Sequence, residues 1–482
     1  MKRKISRSTF LFGAGATAAL ASLRPPASEA ALPRRRNVLW IVDDDHPPYM
    51  MGPMPVTRSR IRELGTEFPM GSTDIPLCGP ARVSLLTGLS VTTHRCDTNR
   101  NPWKDFRESP RGLQERTVAR YLNAAGYVTG HFGKYVNGRA AGGKVPPYWD
   151  RWCETEGAGS DSVGDLGRPN RGNVDGTWVD LPNGLPPSVW SARRCADFVR
   201  AHARSPWFAQ YCPTIPHLPY TPTPRSRHLY DGARRRVPSV NEAVMSDKPR
   251  WMRDLPPRGV AQIQRGYEGQ MEELADLDYG GVLPILKALE ATGQLANTVI
   301  FFTSDNGYLH GEHRESKKDL PYWESAEVPF FVKGPGVRRG ATRKALVNHT
   351  DLMPTTCEVA GVRPALLDVD GRSMLPHLGA GAFSGWRERI LVTGSDDVGP
   401  EQNPGGSNDP SGRWWLLREG EKAFILREDG TKELYLMGAD PYQERSKART
   451  ADPALVRRLT DTTKAMKAAS GETRRRLEEE AP

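Results

Sequence analysis

The sequence predicts an α/β protein, with a parallel sheet in its larger part and a smaller antiparallel sheet towards its C-terminal end. Three patterns carry this. Residues 37–42 (NVLWIV) form a continuous apolar run, the mark of a strand buried on both faces, and the run stops abruptly at Asp43, Asp44 and Asp45. Residues 298–303 (TVIFFT) repeat the pattern and stop at Ser304, Asp305, Asn306 and Gly307. Beyond about Gly381 the chain changes to short strand-like runs separated by turns. In open α/β sheets ligands bind at the carboxyl ends of the strands, so two strand ends rich in oxygen donors mark a candidate site.

Taken in order, residues 1–30 read as a targeting segment. Lys2, Arg3, Lys4 and Arg7 precede an apolar run from Phe10 to Leu23, and Ser28, Glu29 and Ala30 form a small-x-small cleavage site. That run is too short to span a bilayer. Residues 6–11 are similar to a twin-arginine signal with Ser8 in place of the second arginine. Export to the cell envelope or beyond is therefore expected, Tat-like with Sec as the alternative.

After the first strand, Val118, Tyr121, Leu122 and Ala125 recur at helical spacing, and Tyr127 to Phe132 reads as a strand leading to Gly133 and Lys134. From Gly138 to about Pro187, Gly, Pro, Asp and Trp without periodicity predict long loops. A helix near Ala192 to Ala203 then feeds a strand from Trp207 to Tyr211, followed by Pro216 and His217. An Arg- and Pro-rich loop runs to about Gly259. Met271, Leu274, Asp278, Val282, Ile285 and Leu289 predict a long helix stopped at Gly293. Val328 to Val332 reads as a strand and Leu352 to Ala360 as a helix. The runs 390–393, 414–418, 422–427 and 433–436 predict the small sheet, and 455–480 a charged terminal helix. The domain reading is a signal peptide over 1–30, a site-bearing domain over 37–380 and a C-terminal subdomain over 381–482.

The 482-residue chain carries a net charge of +10, and cleavage after Ala30 removes five basic residues and Glu29, lowering it to +6. A basic excess of this size suits an anionic substrate. No motif for nucleic-acid readout accompanies it, and no membrane span is expected. None of the six cysteines has metal-site spacing. Some could pair in an exported protein, but if one is reserved for chemistry the other five cannot all do so.

That one is Cys78. Pro80 suits the first turn of a helix, which places Cys78 at or just before a helix N-terminus, where unpaired N–H groups favour an anion. Arg82 lies one turn on. Asp44, Asp45, Asp305 and Asn306 add an all-oxygen set that suits a hard divalent cation such as Ca²⁺ rather than zinc.

These residues resemble the type I sulfatases, the formylglycine-dependent family. Cys78, Pro80 and Arg82, followed by Leu85, Thr87 and Gly88, are similar to its Cys-x-Pro-x-Arg signature. Residues 37–45 resemble its first strand and 304–307 its second metal block. Further blocks match in order: Gly133 to Gly138, Pro216–His217, Lys318 ahead of Tyr322 to Ser325, Val328–Pro329, and finally Glu433 to Tyr435 with Asp440–Pro441. The resemblance implies an alkaline-phosphatase-like α/β/α sandwich with a smaller C-terminal antiparallel sheet. It implies a Ca²⁺ site at Asp44, Asp45, Asp305, Asn306 and position 78. Cys78 is implied to be oxidised to formylglycine by a formylglycine-generating enzyme, and its hydrate to attack the sulfur of a sulfate ester. Arg82, Lys134 and Lys318 are implied to stabilise the sulfuryl oxygens and His217 to protonate the leaving alcohol.

Two positions depart from the pattern. Many arylsulfatases place a histidine two residues after the first active-site lysine, where this chain has Val136. The Lys-Tyr-Val-Asn form (134–137) instead resembles the N-acetylglucosamine-6-sulfatase-like branch, which implies a sulfated sugar or glycan as substrate. A histidine often found just after Tyr308 is displaced by Leu309. His310, His313 and Asn137 are the candidate substrate-binding residues, with His349 a further candidate. Two other readings fit the same residues: a phosphodiesterase or phosphonate monoester hydrolase, and a calcium- and glycan-binding protein whose Cys78 stays unmodified.

Overall fold

The structure is a computed structural model that describes residues 35–139, 144–155, 170–362, 368–379, 381, 385–395 and 412–480. The targeting segment 1–30 lies outside the described residues.

Apolar runs without polar interruption become the middle of the main sheet. Among the described residues this sheet has ten strands, in the spatial order Ala341–Thr342, Thr66–Glu67, Phe330–Lys333, Thr298–Ser304, Asn37–Asp43, Trp207–Cys212, Val128–Gly133, Arg151–Thr155, Arg171–Val174 and Thr177–Asp180. Asn37–Asp43 lies parallel to both Thr298–Ser304 and Trp207–Cys212, and Val128–Gly133 lies parallel to Trp207–Cys212. Their carboxyl ends therefore share one edge. The register Asp43↔Ser304 sets the two oxygen-rich strand ends side by side.

Alternation along the central strand divides the core between two faces. Val38, Trp40 and Val42 pack with Val83, Leu86, Leu122 and Met353, from the helices Cys78–Thr87, Val118–Ala124 and Leu352–Val359. Leu39 and Ile41 pack with Ala192, Val199, Leu274 and Ile285, from the helices Pro187–Ala201, Val260–Asp276 and Leu283–Ala291. Helices thus cover both faces of a mostly parallel sheet, as the α/β class requires. Trp40 is fully buried and its indole N–H donates to Thr356 Oγ1 at 2.8 Å, so its one polar group is satisfied.

Four antiparallel strands, Arg389–Thr393, Trp414–Glu419, Lys422–Arg427 and Lys432–Leu436, form the second sheet. One side of it joins the core beside the site, where Ile390, Trp414 and Tyr435 pack with Leu309, Tyr322 and Trp323.

Three expectations change. The stretch expected to be long loops contributes three strands, Arg151–Thr155, Arg171–Val174 and Thr177–Asp180, at one edge of the sheet. The long helix starts at Val260 rather than near Met271, and Leu277–Val282 within it has π geometry where Gly281 lets the Tyr211 hydroxyl approach closely. The terminal helix is two, Pro453–Ala468 and Gly471–Glu479. All six cysteines are buried and none is in a disulfide. Among the described residues no helix is long and apolar enough to cross a membrane.

Gly133 ends its strand at φ 111°, and a Cβ there would lie 2.0 Å from the Cys212 carbonyl oxygen. Gly133→Ala should therefore destabilise the protein by more than about 2 kcal/mol in urea denaturation. Stability equal to that of the unsubstituted protein would contradict the strand pairing.

Candidate active site

Four strand ends and one helix start build the site. The helix Cys78–Thr87 begins after Leu77 in extended conformation, and all ten of its residues are buried. Gly88, at φ 67°, ends it in the left-handed conformation typical of a helix stop. The Gly79 N–H donates to Asn99 Oδ1 at 3.0 Å, which fixes the first turn. The strand ends bring in Asp44 and Asp45, Lys134, and Asp305 with Asn306, and His217 follows five residues after Cys212.

These groups meet around Cys78. Its Sγ lies 3.3 Å from Asp44 Oδ1, 3.9 Å from Asp45 Oδ1 and 2.7 Å from Lys318 Nζ. Lys318 also pairs with Asp45, and Lys134 with Asp44. Arg82 Nε donates to Asp305 Oδ2 at 2.9 Å, and Arg82 also reaches Asp44 Oδ2 and the Lys134 carbonyl oxygen. With 1% of its surface exposed, its guanidinium is committed to organising the acids. Asn306 Nδ2 donates to Asp45 Oδ1 at 2.7 Å, and the Asp45 N–H donates to Asp305 Oδ1 at 3.2 Å.

Mutual pairing fixes the charge states. Burial raises the Asp44 carboxyl, but the permanently charged Lys134, Arg82 and Lys318 outweigh it and hold the group well below the usual carboxylate range. Burial works against charge on Lys134 and Lys318 as well. Asp44 overcomes it for Lys134, and Asp45 with Asp44 for Lys318, so both ammonium groups are held charged. For the Cys78 thiol, burial together with Asp305 and Asp44 pushes the pKa far up. As a cysteine, this residue stays protonated and is a poor nucleophile at neutral pH.

The site also has the features of a cation site. Asn306 Oδ1 is buried with no hydrogen-bond partner. His217 Nδ1 is 2.6 Å from the Leu218 carbonyl oxygen, so it carries the proton. Neutral His217 then presents a bare Nε2 to Asp45 Oδ2, 3.7 Å away. Burial lowers the His217 pKa, which favours that neutral form. Two acceptors facing each other beside an orphaned amide oxygen suit a bound cation. Ligand atoms of Asp44, Asp45, Cys78 and His217 lie within 4.8 Å of one another.

The remaining candidates fall elsewhere. Asp43, which precedes the pair, turns away to His46 Nδ1 at 2.7 Å, leaving Asp44 and Asp45 to face Cys78. Val136 is buried in the apolar core. Asn137 accepts the Trp103 N–H with its backbone oxygen, and its Oδ1 is buried without a partner. His310 borders a cavity next to the site. His313 is not brought to the cluster: it is fully buried, bonded to Glu242 at 2.7 Å and stacked on Tyr322 at 3.8 Å. His349 lies behind the strand end, its Nε2 2.8 Å from the Ser304 carbonyl oxygen.

Gln270 was not anticipated. It is fully buried and its Nε2 donates to the Asp45 carbonyl oxygen, steadying a residue held at φ 68°. A polar residue just ahead of an apolar stripe reads as solvent-facing, so the sequence carries no signal for this role.

Comparison with known proteins places this arrangement. The sulfatase family model matches residues 41–362, two thirds of the chain. The chain belongs to the sulfatase family. The extracellular sulfatase SULF-1 homolog of Drosophila melanogaster is 30% identical over 393 residues, 76% of this chain and 34% of the relative. A putative extracellular sulfatase homolog of Caenorhabditis elegans is 29% identical, covering 74% of this chain and 52% of the relative. The chain thus spans about a third and a half of those two relatives. Human N-acetylglucosamine-6-sulfatase is 27% identical over 490 residues, 92% of this chain and 86% of the relative. A solved structure in complex with its substrate D-glucosamine-2-N,6-O-disulfate superposes with a TM-score of 0.70 at 20% identity, covering 89% of this chain and 97% of the other. A phosphonate monoester hydrolase from Silicibacter pomeroyi superposes at 0.66 and 21% identity, covering 88% and 94%. The fold of this sulfatase-family protein is therefore the alkaline-phosphatase-like α/β arrangement expected from its sequence.

A ligand that binds only the folded state stabilises it by about 2.7 kcal/mol at a hundredfold excess over Kd. A divalent cation that fills this site should accordingly raise the thermal unfolding midpoint, and Asp305→Asn should lower its affinity at least about tenfold by calorimetry. Unchanged affinity would remove Asp305 from the cation site.

Proposed function

We propose that this protein is an exported hydrolase of sulfate esters on sugars or glycans, with N-acetylglucosamine-6-sulfate-like units as substrate. In this reading it uses a calcium ion and a formylglycine made from Cys78. One observation carries it: in a chain of the sulfatase family, three acids, two lysines and His217 converge on a buried residue 78 whose thiol is unfit for attack. Alignment with N-acetylglucosamine-6-sulfatase over nearly the whole chain supports a sugar substrate. The extracellular relatives and the basic, apolar leader support export. Maturation requires a formylglycine-generating enzyme as a partner.

Asp44, Asp45, Asp305 and Asn306 would hold the cation, whose chemistry when bound is to activate an oxygen nucleophile and neutralise developing negative charge. Conversion of Cys78 would replace a protonated thiol with a hydrated aldehyde at the same place. Lys318, 2.7 Å from Cys78 Sγ, and Lys134, paired with Asp44, would neutralise the sulfuryl oxygens. Arg82 holds Asp44 and Asp305 in position. When protonated, His217 can deliver a proton from Nε2 to the departing oxygen, its ring oriented by Leu218. The shared fold with a phosphonate monoester hydrolase favours one second reading, phosphoryl chemistry at the same charged site.

Sulfate release from N-acetylglucosamine-6-sulfate should fall at least about 1000-fold in Cys78→Ala, with the unfolding midpoint little changed. Retained turnover would refute the nucleophile assignment. A higher kcat/KM for an aryl phosphodiester than for the matched aryl sulfate would move the protein to the second reading.

A further inference from the structure

The segment that delivers Lys318 is held in a conformation its own residues disfavour. Within 313–319, His313, Arg314, Lys317 and Asp319 have φ of 53°, 60°, 76° and 62°, the left-handed region that residues with a Cβ seldom enter. Such a backbone persists only where its surroundings impose it. Ahead of the lysine those surroundings are the neighbouring loop and a short hairpin. The His313 N–H donates to the Ser239 carbonyl oxygen at 2.7 Å, Arg258 bonds to the Arg314 carbonyl oxygen and to Glu315, and Leu309–His310 pairs antiparallel with Ser316–Lys317.

Beyond the lysine the hold comes from the C-terminal sheet. Arg389–Thr393 is an edge strand of that sheet, and in an antiparallel pair alternate N–H groups point away from the neighbouring strand. The Gly394 N–H, just past the strand, pairs inward with the Trp414 carbonyl oxygen at 2.9 Å. The N–H groups on either side of it face outward, and both are taken by segments of the larger domain. Thr393 donates to the carbonyl oxygen of Asp74 at 3.0 Å, in the stretch that leads into Cys78. Ser395 donates to Asp319 Oδ1 at 3.2 Å, beside Lys318. The Trp414 indole N–H also reaches the Asp319 carbonyl oxygen at 3.3 Å, so Asp319 is gripped by side chain and backbone together. Asp319 is 3% exposed and Trp414 1%, which keeps water from competing for these bonds.

We infer that Asp319 is a positioning residue for Lys318, and that through it the edge of the C-terminal sheet sets how closely that lysine approaches residue 78. Asp319 acts through the backbone from which the Lys318 side chain extends to Cys78 Sγ, 2.7 Å away, and to Asp45. Aspartate suits this position twice: its carboxylate accepts strongly from a backbone N–H, and its short polar side chain tolerates the left-handed conformation. One edge strand thereby holds the chain on both members of a pair 240 residues apart in sequence. The inference rests on the proposed function only for its effect on turnover, because the placement of Lys318 can be observed without it.

Two variants test it in the full-length protein. Asp319→Gly accepts φ 62° without strain but loses the carboxylate, whereas Asp319→Asn tolerates that φ and keeps Oδ1 as an acceptor for Ser395. With matured protein and N-acetylglucosamine-6-sulfate, Asp319→Gly should lower kcat about 100-fold while KM changes less than about threefold, because the displaced ammonium serves the transition state. Asp319→Asn should keep kcat within about threefold of the unsubstituted protein. A carboxylate needed only for folding would lower the unfolding midpoint and leave kcat per folded molecule unchanged. Crystal structures of both variants before maturation, with the Cys78 thiol in place, need no turnover. In them Lys318 Nζ should stay beside Sγ in Asp319→Asn and lie about 1 Å or more farther away in Asp319→Gly. An unmoved Lys318 in Asp319→Gly, an unchanged kcat in that variant, or an equal loss in both variants would overturn the inference. A displaced Lys318 in a protein that releases no sulfate even when unsubstituted and matured would support it and contradict the proposed activity instead.

Discussion

The mutual neutralisation of buried charge at one sheet edge is the constraint on which the rest of the structure depends. Asp44, Asp45 and Asp305 are almost wholly buried, as are Arg82, Lys134 and, to a slightly lesser degree, Lys318. Removing one partner from such a set leaves an uncompensated charge and costs several kcal/mol. The set therefore has to form together, and it can do so only if the parallel strands align in register. Asp43↔Ser304 pairing puts the acids side by side, while the Val128–Gly133 strand brings Lys134 to the same edge.

The helix Cys78–Thr87 completes that edge. Its first turn places Cys78 against the acids, and Arg82, one turn later, bonds to Asp44 and Asp305. One helix thus supplies both the residue proposed to react and the cation that keeps its neighbours in place. Arg82 is better understood as an organiser than as a group that meets substrate, because its three nitrogens are already engaged by the protein. The two lysines sit next to position 78 and complement the anion that the proposed function requires.

Much of this was legible in the sequence because buried parallel strands leave a strong mark. Runs such as NVLWIV and TVIFFT have no polar interruption, and their ends announce the site residues directly. Where the elements are short and half-exposed the mark fades. Arg151–Thr155, Arg171–Val174 and Thr177–Asp180 are four or five residues long with at most two apolar residues in a row, too short a run to read as buried strands. Residues 260–270 begin the long helix but are mostly polar, so its apolar stripe shows only from Met271 onward. Side chains that act across long sequence separations leave no local trace at all. Gln270 beneath Asp45 and Tyr49 behind His310 are joined to their partners only by the fold. His313 shows the converse, a histidine near a recognisable motif that the fold commits to an interior bond with Glu242.

Residue 78 is proposed to act as a modified group rather than as a thiol. Peptide mass spectrometry across preparations of differing specific activity tests it most directly. Sulfatase activity should rise in proportion to the fraction of chains carrying an aldehyde at position 78 and vanish where that fraction is zero. Full activity in a preparation whose Cys78 is entirely an unmodified thiol would contradict it.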